Sequence, residues 1–327
     1  MKLAIIGAND FQRQLILKAK EMGLETHVFA WEDGAVGKAD ADYFYPISII
    51  EKEQILVKCQ EIGINGICSI ASDLAVITVD YVAEKMGLPF QCSYEAACIL
   101  QDKSKFRQFL HDNGFNCPNA KGYTNAEDAL KDVDYFNWPV IVKPVDSAGS
   151  KGVTKVEKKE NLSYAIDFAL SCSIEKHFII EDFLDKVGAQ SSADIFTVDG
   201  KLVYPAYSDQ LFDSNAANPY TPAIEIWPAT MEQKYQDDLT NQLQRLVSLL
   251  DMKTGIYNVE SRVCSNGKTY IMEVSPRGGG NRIAELQDMA TGQSLIRAEI
   301  CKALSLPLDE IRSEERRVGK ECRSRWS

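Results

Sequence analysis

The sequence predicts an open parallel α/β sheet at the N-terminus, followed by a larger α+β region. Up to about residue 90, short apolar runs alternate with amphipathic helical stretches, the pattern of a parallel sheet with crossover helices. Beyond it, strands bounded by proline and glycine alternate with helices, and two apolar strands joined by Asn-Gly follow near residue 267. A chain of 327 residues, 45% of them hydrophobic, is long enough for two or three domains with their own cores.

Composition excludes several classes of function. The net charge of −11 has the wrong sign for a protein that mainly neutralises nucleic-acid phosphates or an anionic membrane. No apolar stretch approaches a membrane span, and the N-terminal apolar run is too short for a signal peptide. The nine cysteines form no CxxC pair, and three scattered histidines do not favour a zinc site or a histidine triad. We therefore expect a cytoplasmic protein with reduced thiols and no nucleic-acid or membrane partner.

The first part of the chain predicts a Rossmann-like sheet, because strands separated by helices pair in parallel through right-handed crossovers. Its first turn has only Gly7 where a dinucleotide fingerprint needs three glycines, so NAD is not favoured there. The predicted strands are 2–6, 26–30, 43–45 and 66–70, and the predicted helices are 11–22, 51–62 and 73–86.

The second part predicts a compact α+β unit followed by a third block. Residues 209–218 are expected to be a polar loop that either covers substrate or has no role. The predicted strands are 139–144, 153–156, 178–182, 190–197, 201–204, 255–264 and 268–274, and the predicted helices are 94–101, a second one ending near 113, 161–171 and 231–250.

Two features suggest phosphate chemistry. The run from Ser147 to Gly152 follows a strand that carries a lysine; it is either a loop that covers phosphates or a plain hairpin turn. Glu260 and Glu273 lie on the two strands joined by Asn266-Gly267, so hairpin register can bring both carboxylates to one face as Mg²⁺ ligands. The alternative is that both carboxylates face solvent.

A cationic, glycine-rich turn, SPRGGGNR over residues 275–282, follows directly and suits an anionic intermediate. Together with Asp102-Lys103, the VKP motif at 142–144, the small-residue loop and EDFL at 181–184, these features resemble the ATP-grasp superfamily over nearly all of residues 1–311. The resemblance implies a Rossmann-like pre-ATP-grasp domain (1–92) and a two-subdomain ATP-grasp fold (93–311). The small lid is expected at about 120–185 and the larger catalytic part at about 186–311.

The resemblance also implies an ADP-forming carboxylate-amine ligase that uses ATP with Mg²⁺ or Mn²⁺. Small-molecule carboxylate and amine substrates would be its partners, and a homodimer is the expected assembly, if the chain self-associates. Arg277 and Lys143 would be catalytic, with Arg277 stabilising an acyl phosphate, and Glu260, Glu273 and Ser275 would hold the metal. The implied ATP-binding residues are Lys103, Lys143, Ser147, Ala148, Gly149, Ser150, Gly152, Glu181, Phe183, Leu184 and Gln190.

Two residues depart from the family pattern. Ser275 stands where many relatives have an asparagine that completes the metal shell, and Gln190 stands where a ribose-binding glutamate is expected. Two alternatives therefore remain open. One is a carboxylase of the purine-biosynthesis type that activates bicarbonate, and the other is an ATP-binding module without ligase chemistry.

The last sixteen residues, 312–327, differ from the rest of the chain. They carry six basic and three acidic residues without a helical or strand period, and they resemble a translated sequencing adapter. We interpret them as a non-native tail and expect the natural protein to continue differently after Ile311.

Overall fold

The computed structural model describes residues 1–147, 149–309 and 311. The interpreted tail at 312–327 and the candidate site residue Ala148 lie outside them. The described residues form three sheets. The strands are β1 Lys2–Ile6, β2 Glu25–Phe29, β3 Tyr43–Tyr45, β4 Gly66–Cys68, β5 Ala120–Tyr123, β6 Val140–Pro144, β7 Thr154–Val156, β8 Phe178–Asp182, β9 Gln190–Val198, β10 Lys201–Tyr204, β11 Ser208–Phe212, β12 Pro222–Ile226, β13 Gly255–Val263 and β14 Thr269–Ser275. The helices are α1 Asp10–Glu21, α2 Lys52–Ile62, α3 Asp73–Met86, α4 Tyr94–Gln101, α5 Lys103–Asp112, α6 Ala126–Lys131, α7 Leu162–Cys172, α8 Gln233–Leu249, α9 Ile283–Thr291 and α10 Leu295–Ala303.

The N-terminal sheet is parallel, with strand order β3-β2-β1-β4. Strands β1 and β2 are almost continuously buried because helices cover both faces of the sheet. Helices α1 and α10 pack on one face and α2 and α3 on the other. The Rossmann-like prediction is confirmed, and the structure adds α10, which returns from the far end of the chain to complete this layer.

The small sheet is antiparallel, with order β5-β8-β6-β7. Helix α7 packs its apolar side on this sheet around Val140, Val142 and Phe178. Because β6 and β7 are neighbours, the chain between them returns as a hairpin loop over the end of the sheet.

The large sheet has the order β12-β11-β9-β13-β14, with β10 also paired to β9. Helices α4, α5 and α8 pack on one face around Leu243 and Tyr257. The prediction of a polar loop at 209–218 is wrong at its start, since β11 covers Ser208–Phe212 and pairs with β9 and β12. Ser208, Asp209 and Gln210 are buried although they are polar. A buried strand is recognised in a sequence by its apolar residues, so the sequence of this segment predicts a loop.

Among the described residues, no helix is long and apolar enough to cross a membrane. The small sheet faces the large one, and polar side chains of both sheets line the space between them. This space is where the fold places the candidate residues.

Candidate active site

A cavity of about 780 Å³ lies between the small and large sheets and reaches the first turn of α3 in the N-terminal layer. That volume suits a small-molecule ligand. Twelve of the predicted site residues line it: Lys103, Lys143, Ser147, Gly149, Ser150, Glu181, Phe183, Leu184, Gln190, Glu260, Glu273 and Arg277. Gly152 and Ser275 are not among the lining residues.

The two predicted metal-binding carboxylates stand directly opposite each other. Glu260 on β13 and Glu273 on β14 are register partners, and both line the cavity. Burial, and next the charge of Glu273, raise the pKa of Glu260 to about 7. Two like charges held on neighbouring strands repel unless a cation joins them.

The donor set fits a hard divalent cation that shares its shell with ligand oxygens. Among the described residues no group of three or more His, Cys, Asp or Glu could hold a metal by itself. Two carboxylates are nevertheless the usual protein contribution when a magnesium ion keeps water and phosphate oxygens as its other ligands. Glu260 and Glu273 therefore fit Mg²⁺ only in the presence of a bound phosphate or water shell.

Lys103 lies beside this pair. The residue begins α5 directly after Asp102, whose carboxylate caps the helix by accepting from the backbone N–H groups of Ser104 and Lys105. Its Nζ donates to the Ser147 carbonyl at 3.0 Å and lies 3.9 Å from Glu273 Oε2. The ammonium thus links the start of the small-residue loop to the carboxylate pair.

Lys143 and Glu181 form a buried ion cluster with Arg107. Glu181 is in strand β8, not in the hinge after it, and its carboxylate accepts from Lys143 Nζ and, at 3.0 Å, from Arg107 Nε. Burial alone would raise the pKa of Glu181, but Lys143 and Arg107 outweigh it and hold that pKa at about 2. Burial lowers the pKa of Lys143 to about 8, so the side chain is mainly an ammonium at neutral pH. The predicted role of Glu181 requires its side chain to hydrogen-bond to adenine. In the structure that side chain is paired with Lys143 and Arg107 instead.

Arg277 is held by the N-terminal layer. Its Nη2 and Nε lie 2.6 and 2.8 Å from Asp73 Oδ1, and Nη1 donates to the Gly278 carbonyl at 3.2 Å. Asp73 lies in the first turn of α3, and its carboxylate also accepts from the Ser275 side chain. The buried Ser275 hydroxyl thus hydrogen-bonds to Asp73 and does not line the cavity, so its role as a metal ligand stays a prediction.

The glycine run after Arg277 is held from β9. Asp194 is fully buried, and both of its carboxylate oxygens accept from the Gly279 N–H at 2.9 Å. Burial raises the pKa of Asp194 to about 6, although the Gly279 and Asn258 hydrogen bonds act in the opposite direction. The sequence offered no signal for this contact, because the two segments are distant along the chain.

The small-residue loop covers the cavity. Ser147, Gly149 and Ser150 line it, and Ser150 Oγ donates to the Tyr220 carbonyl at 3.0 Å, which connects the loop to the chain before β12. Gly152 faces away: a Cβ there would come within 2.8 Å of Cys172 Cβ, so this glycine permits close packing behind the loop.

Phe183 and Leu184 line the opposite end of the cavity, the hinge end, directly after β8. Lys155 Nζ lies 4.1 Å from the centre of the Phe183 ring. Gln190 lines the same cavity, but its amide is already used. Its Nε2 donates to Gln210 Oε1 at 2.7 Å and to Glu260 Oε2 at 3.3 Å, and its Oε1 accepts from Arg262.

Sequence reasoning missed Arg107, Arg262 and Gln210. Arg262 could have been found, because it lies two residues beyond Glu260 and therefore on the same face of β13. Arg107 pairs with a residue 74 positions away, a contact that no local pattern reveals.

Comparison with known proteins supports the family resemblance that the sequence motifs indicate. Residues 136–285 match the ATP-grasp domain family. The crystal structure of L-amino acid ligase from Bacillus licheniformis superposes with a TM-score of 0.77 at 21% identity, covering 94% of this chain and 75% of that one. The structure of N5-carboxyaminoimidazole synthetase from Staphylococcus aureus complexed with ADP superposes with a TM-score of 0.77 at 16% identity, covering 95% of this chain and 79% of that one.

A curated relative in sequence is the carbamoyl phosphate synthase large chain of Thermotoga neapolitana, 24% identical over 278 residues. The alignment covers 84% of this chain and 24% of that protein, so the chain spans about a quarter of its length. Residues 136–285 therefore belong to the ATP-grasp domain family. The fold of the chain is a Rossmann-like sheet followed by the two-part ATP-grasp architecture, as the sequence predicted.

Proposed function

We propose that the protein is an ADP-forming ligase that activates a small carboxylate with ATP for attack by an amine. The observation that carries the proposal is the single cavity in which two lysines, two opposed carboxylates and an arginine face one another between two sheets. Phosphoryl transfer needs charge neutralisation and alignment, not a protein nucleophile, and this cavity offers both.

In the proposed reaction a carboxylate oxygen attacks the γ-phosphorus and the bond to ADP breaks, which forms an acyl phosphate. The amine nitrogen then attacks the acyl carbon, phosphate leaves with the bridging oxygen, and the amine loses its proton to water. Mg²⁺ bound by Glu260 and Glu273 would supply charge neutralisation for the phosphates.

The side chains divide this work by position. Lys103 and Lys143 would bind phosphate oxygens, and the loop over Ser147, Gly149 and Ser150 would exclude water. Arg277 has five N–H donors, and its contacts with Asp73 and Gly278 use three of them. The others remain for the carboxylate or the acyl phosphate at that end of the cavity.

We place the nucleoside at the hinge end, near Phe183 and Leu184, and the carboxylate and amine between Arg277 and α3. The proposed division into residues 1–92, a lid at about 120–185 and a catalytic part at about 186–311 follows the three sheets. Small molecules are the proposed partners, and dependence on ATP accords with the cytoplasmic location expected from composition.

The test is an ADP-release screen with Mg²⁺ over amino acids and other small carboxylates and amines, with and without added bicarbonate. We expect turnover that requires both a carboxylate and an amine. In Glu273→Gln that turnover should fall by about 100-fold or more, because the metal loses a ligand. The matched control Glu61→Gln, exposed on α2, should keep wild-type turnover.

Two results would overturn the proposal. Turnover that requires bicarbonate and an amine alone would favour the carboxylase alternative. Nucleotide binding without stimulation by any acceptor would favour a binding module, and unchanged turnover in Glu273→Gln would refute the metal assignment.

A further inference from the structure

Arg262 is a half-buried cation in the cavity to which the proposed reaction gives no role. It lies on β13 two residues beyond Glu260 and lines the cavity on the same face. Its Nε is buried and has no hydrogen-bond partner among the described residues. A buried donor without a partner is costly, so a partner supplied by a bound ligand is the economical explanation.

A chain of hydrogen bonds fixes the Arg262 side chain in place. Arg262 Nη2 donates to Gln190 Oε1, and Gln190 Nε2 donates to Gln210 Oε1 at 2.7 Å and, at the longer distance of 3.3 Å, to Glu260 Oε2. Gln210 Nε2 then donates to Glu225 Oε1 at 3.0 Å, and Ser208 Oγ donates to the other Glu225 oxygen at 2.7 Å.

This series of hydrogen bonds has a direction. It begins at a cation and ends at an anion, and each amide between them donates toward Glu225 and accepts from the side of Arg262. Turning either amide over would set donor against donor, so the network itself determines their orientation. The guanidinium is therefore held from one side, while its Nε stays free for a ligand.

The position of Arg262 along the cavity indicates which part of a nucleotide it would meet. On β13, two residues before Glu260, the Asn258 N–H donates to the Arg277 carbonyl at 2.8 Å. At the C-terminal end of the strand, just beyond Arg262, Cys264 bridges to Lys186, which follows the hinge residues. Side chains of one face run in this order from the Arg277 end, through the carboxylate pair, to the hinge end.

We propose that Arg262 binds the nucleoside part of the nucleotide, its Nε donating to an acceptor atom of the sugar or base. Gln190 is then a positioning residue that acts through Arg262, and not the ribose ligand that the sequence suggested. This inference rests on the proposed function insofar as it requires a nucleotide in this cavity.

The experiment compares two ligands without catalysis. Binding of ADP and of inorganic tripolyphosphate is measured calorimetrically for the wild type, Arg262→Met, Arg262→Lys and the exposed control Arg297→Met. We expect Arg262→Met to raise the Kd for ADP by about 10- to 100-fold while the Kd for tripolyphosphate changes by less than about threefold. Arg262→Lys, which keeps the charge but lacks Nε, should also bind ADP at least about tenfold more weakly, and Arg297→Met should match the wild type.

The role of Gln190 is tested by a double-mutant cycle. Gln190→Leu alone should weaken ADP binding, and adding it to Arg262→Met should weaken binding no further, because both substitutions break one path. Full additivity would show that Gln190 affects ADP binding independently of Arg262, either by direct contact or through its hydrogen bond to Glu260, and would overturn the positioning role.

Other outcomes separate this inference from the proposed function. Equal losses of ADP and tripolyphosphate binding would make Arg262 a phosphate ligand, and unchanged ADP binding in both Arg262 variants would remove it from the site. Either result overturns the inference and leaves the proposed function standing. A wild-type protein that binds neither ligand would instead refute the nucleotide site. Should Arg262→Met fail to fold, the Kd values of Arg262→Lys for ADP and tripolyphosphate test the inference by themselves.

Discussion

At the residue scale, the site depends on buried charges that hold one another. Glu181 is 3% exposed and Arg107 is also 3% exposed, so neither is solvated by bulk water. Removing one partner of such a cluster leaves the others as uncompensated buried charges, which is far more costly than losing a surface ion pair. The cluster therefore fixes Lys143 at the cavity wall.

Glu181→Gln tests this cluster. We expect the free energy of unfolding at pH 7 to fall by about 3–5 kcal/mol, since Lys143 and Arg107 would remain buried with a neutral neighbour. Urea denaturation followed by circular dichroism measures the change. The exposed substitution Glu61→Gln should stay within about 0.5 kcal/mol of the wild type.

The difference in unfolding free energy between the wild type and Glu181→Gln should depend on pH. The pKa of Glu181 is about 2 in the folded state and near the ordinary 4.5 when unfolded, so its stabilisation is complete above pH 4.5 and is lost as the pH falls toward 2. The stability gap between wild type and Glu181→Gln should therefore narrow between pH 5 and pH 3. A gap that stays constant over this range would contradict the ion-cluster account.

At the element scale, the sequence predicted those elements whose apolar pattern is complete. The β13–β14 hairpin followed from its Asn266-Gly267 turn. The direct opposition of Glu260 and Glu273 also needs a shift in register between Glu260 and Ser261, without which Glu260 would oppose Met272. Strand β11 was missed because its buried residues are polar. Ser208 and Gln210 donate to Glu225, and Asp209 accepts from Thr230. Contacts between distant segments, such as Arg277 with Asp73 across 204 residues, carry no local signal at all.

Helix α10 was also unforeseen, and its docking on β4 gives a further prediction. A Cβ on Gly66 would lie 2.2 Å from the Ala303 carbonyl oxygen, so the helix backbone occupies the space of a side chain. Gly66→Ala should destabilise the protein by about 1–3 kcal/mol through overpacking. Urea midpoints measure this against Gly280→Ala, whose Cβ would meet nothing within 4 Å. Equal midpoints for the two variants would show that α10 does not dock as described.

At the scale of the whole molecule, the N-terminal layer completes the site. The Asp73–Arg277 contact joins α3 to the turn after β14, and the Ala71 N–H donates to the Gly278 carbonyl at 2.9 Å. Elements of two layers therefore orient one guanidinium. This contact gives the Rossmann-like sheet, which shows no dinucleotide fingerprint, a place in the candidate site.

Asp73→Asn should separate binding from turnover. Arg277 would lose its charged partner and its fixed orientation, while the hinge end and the carboxylate pair stay intact. We expect the Kd for ADP to change by less than about threefold and ADP release to slow by about 10- to 100-fold. Calorimetry and the coupled ADP assay measure the two quantities, with the exposed Asp112→Asn as control. Parallel losses in both would indicate a general collapse of the cavity.

The central claim is that the γ-phosphoryl group passes to a carboxylate oxygen. The most direct measurement uses the carboxylate that stimulates ADP release, labelled with ¹⁸O in both oxygens, and mass analysis of the phosphate produced. Activation as an acyl phosphate predicts one ¹⁸O atom in each phosphate released, because the bridging oxygen leaves with phosphorus. Phosphate that carries oxygen from solvent water alone would mean that ATP is only hydrolysed, and would contradict the account.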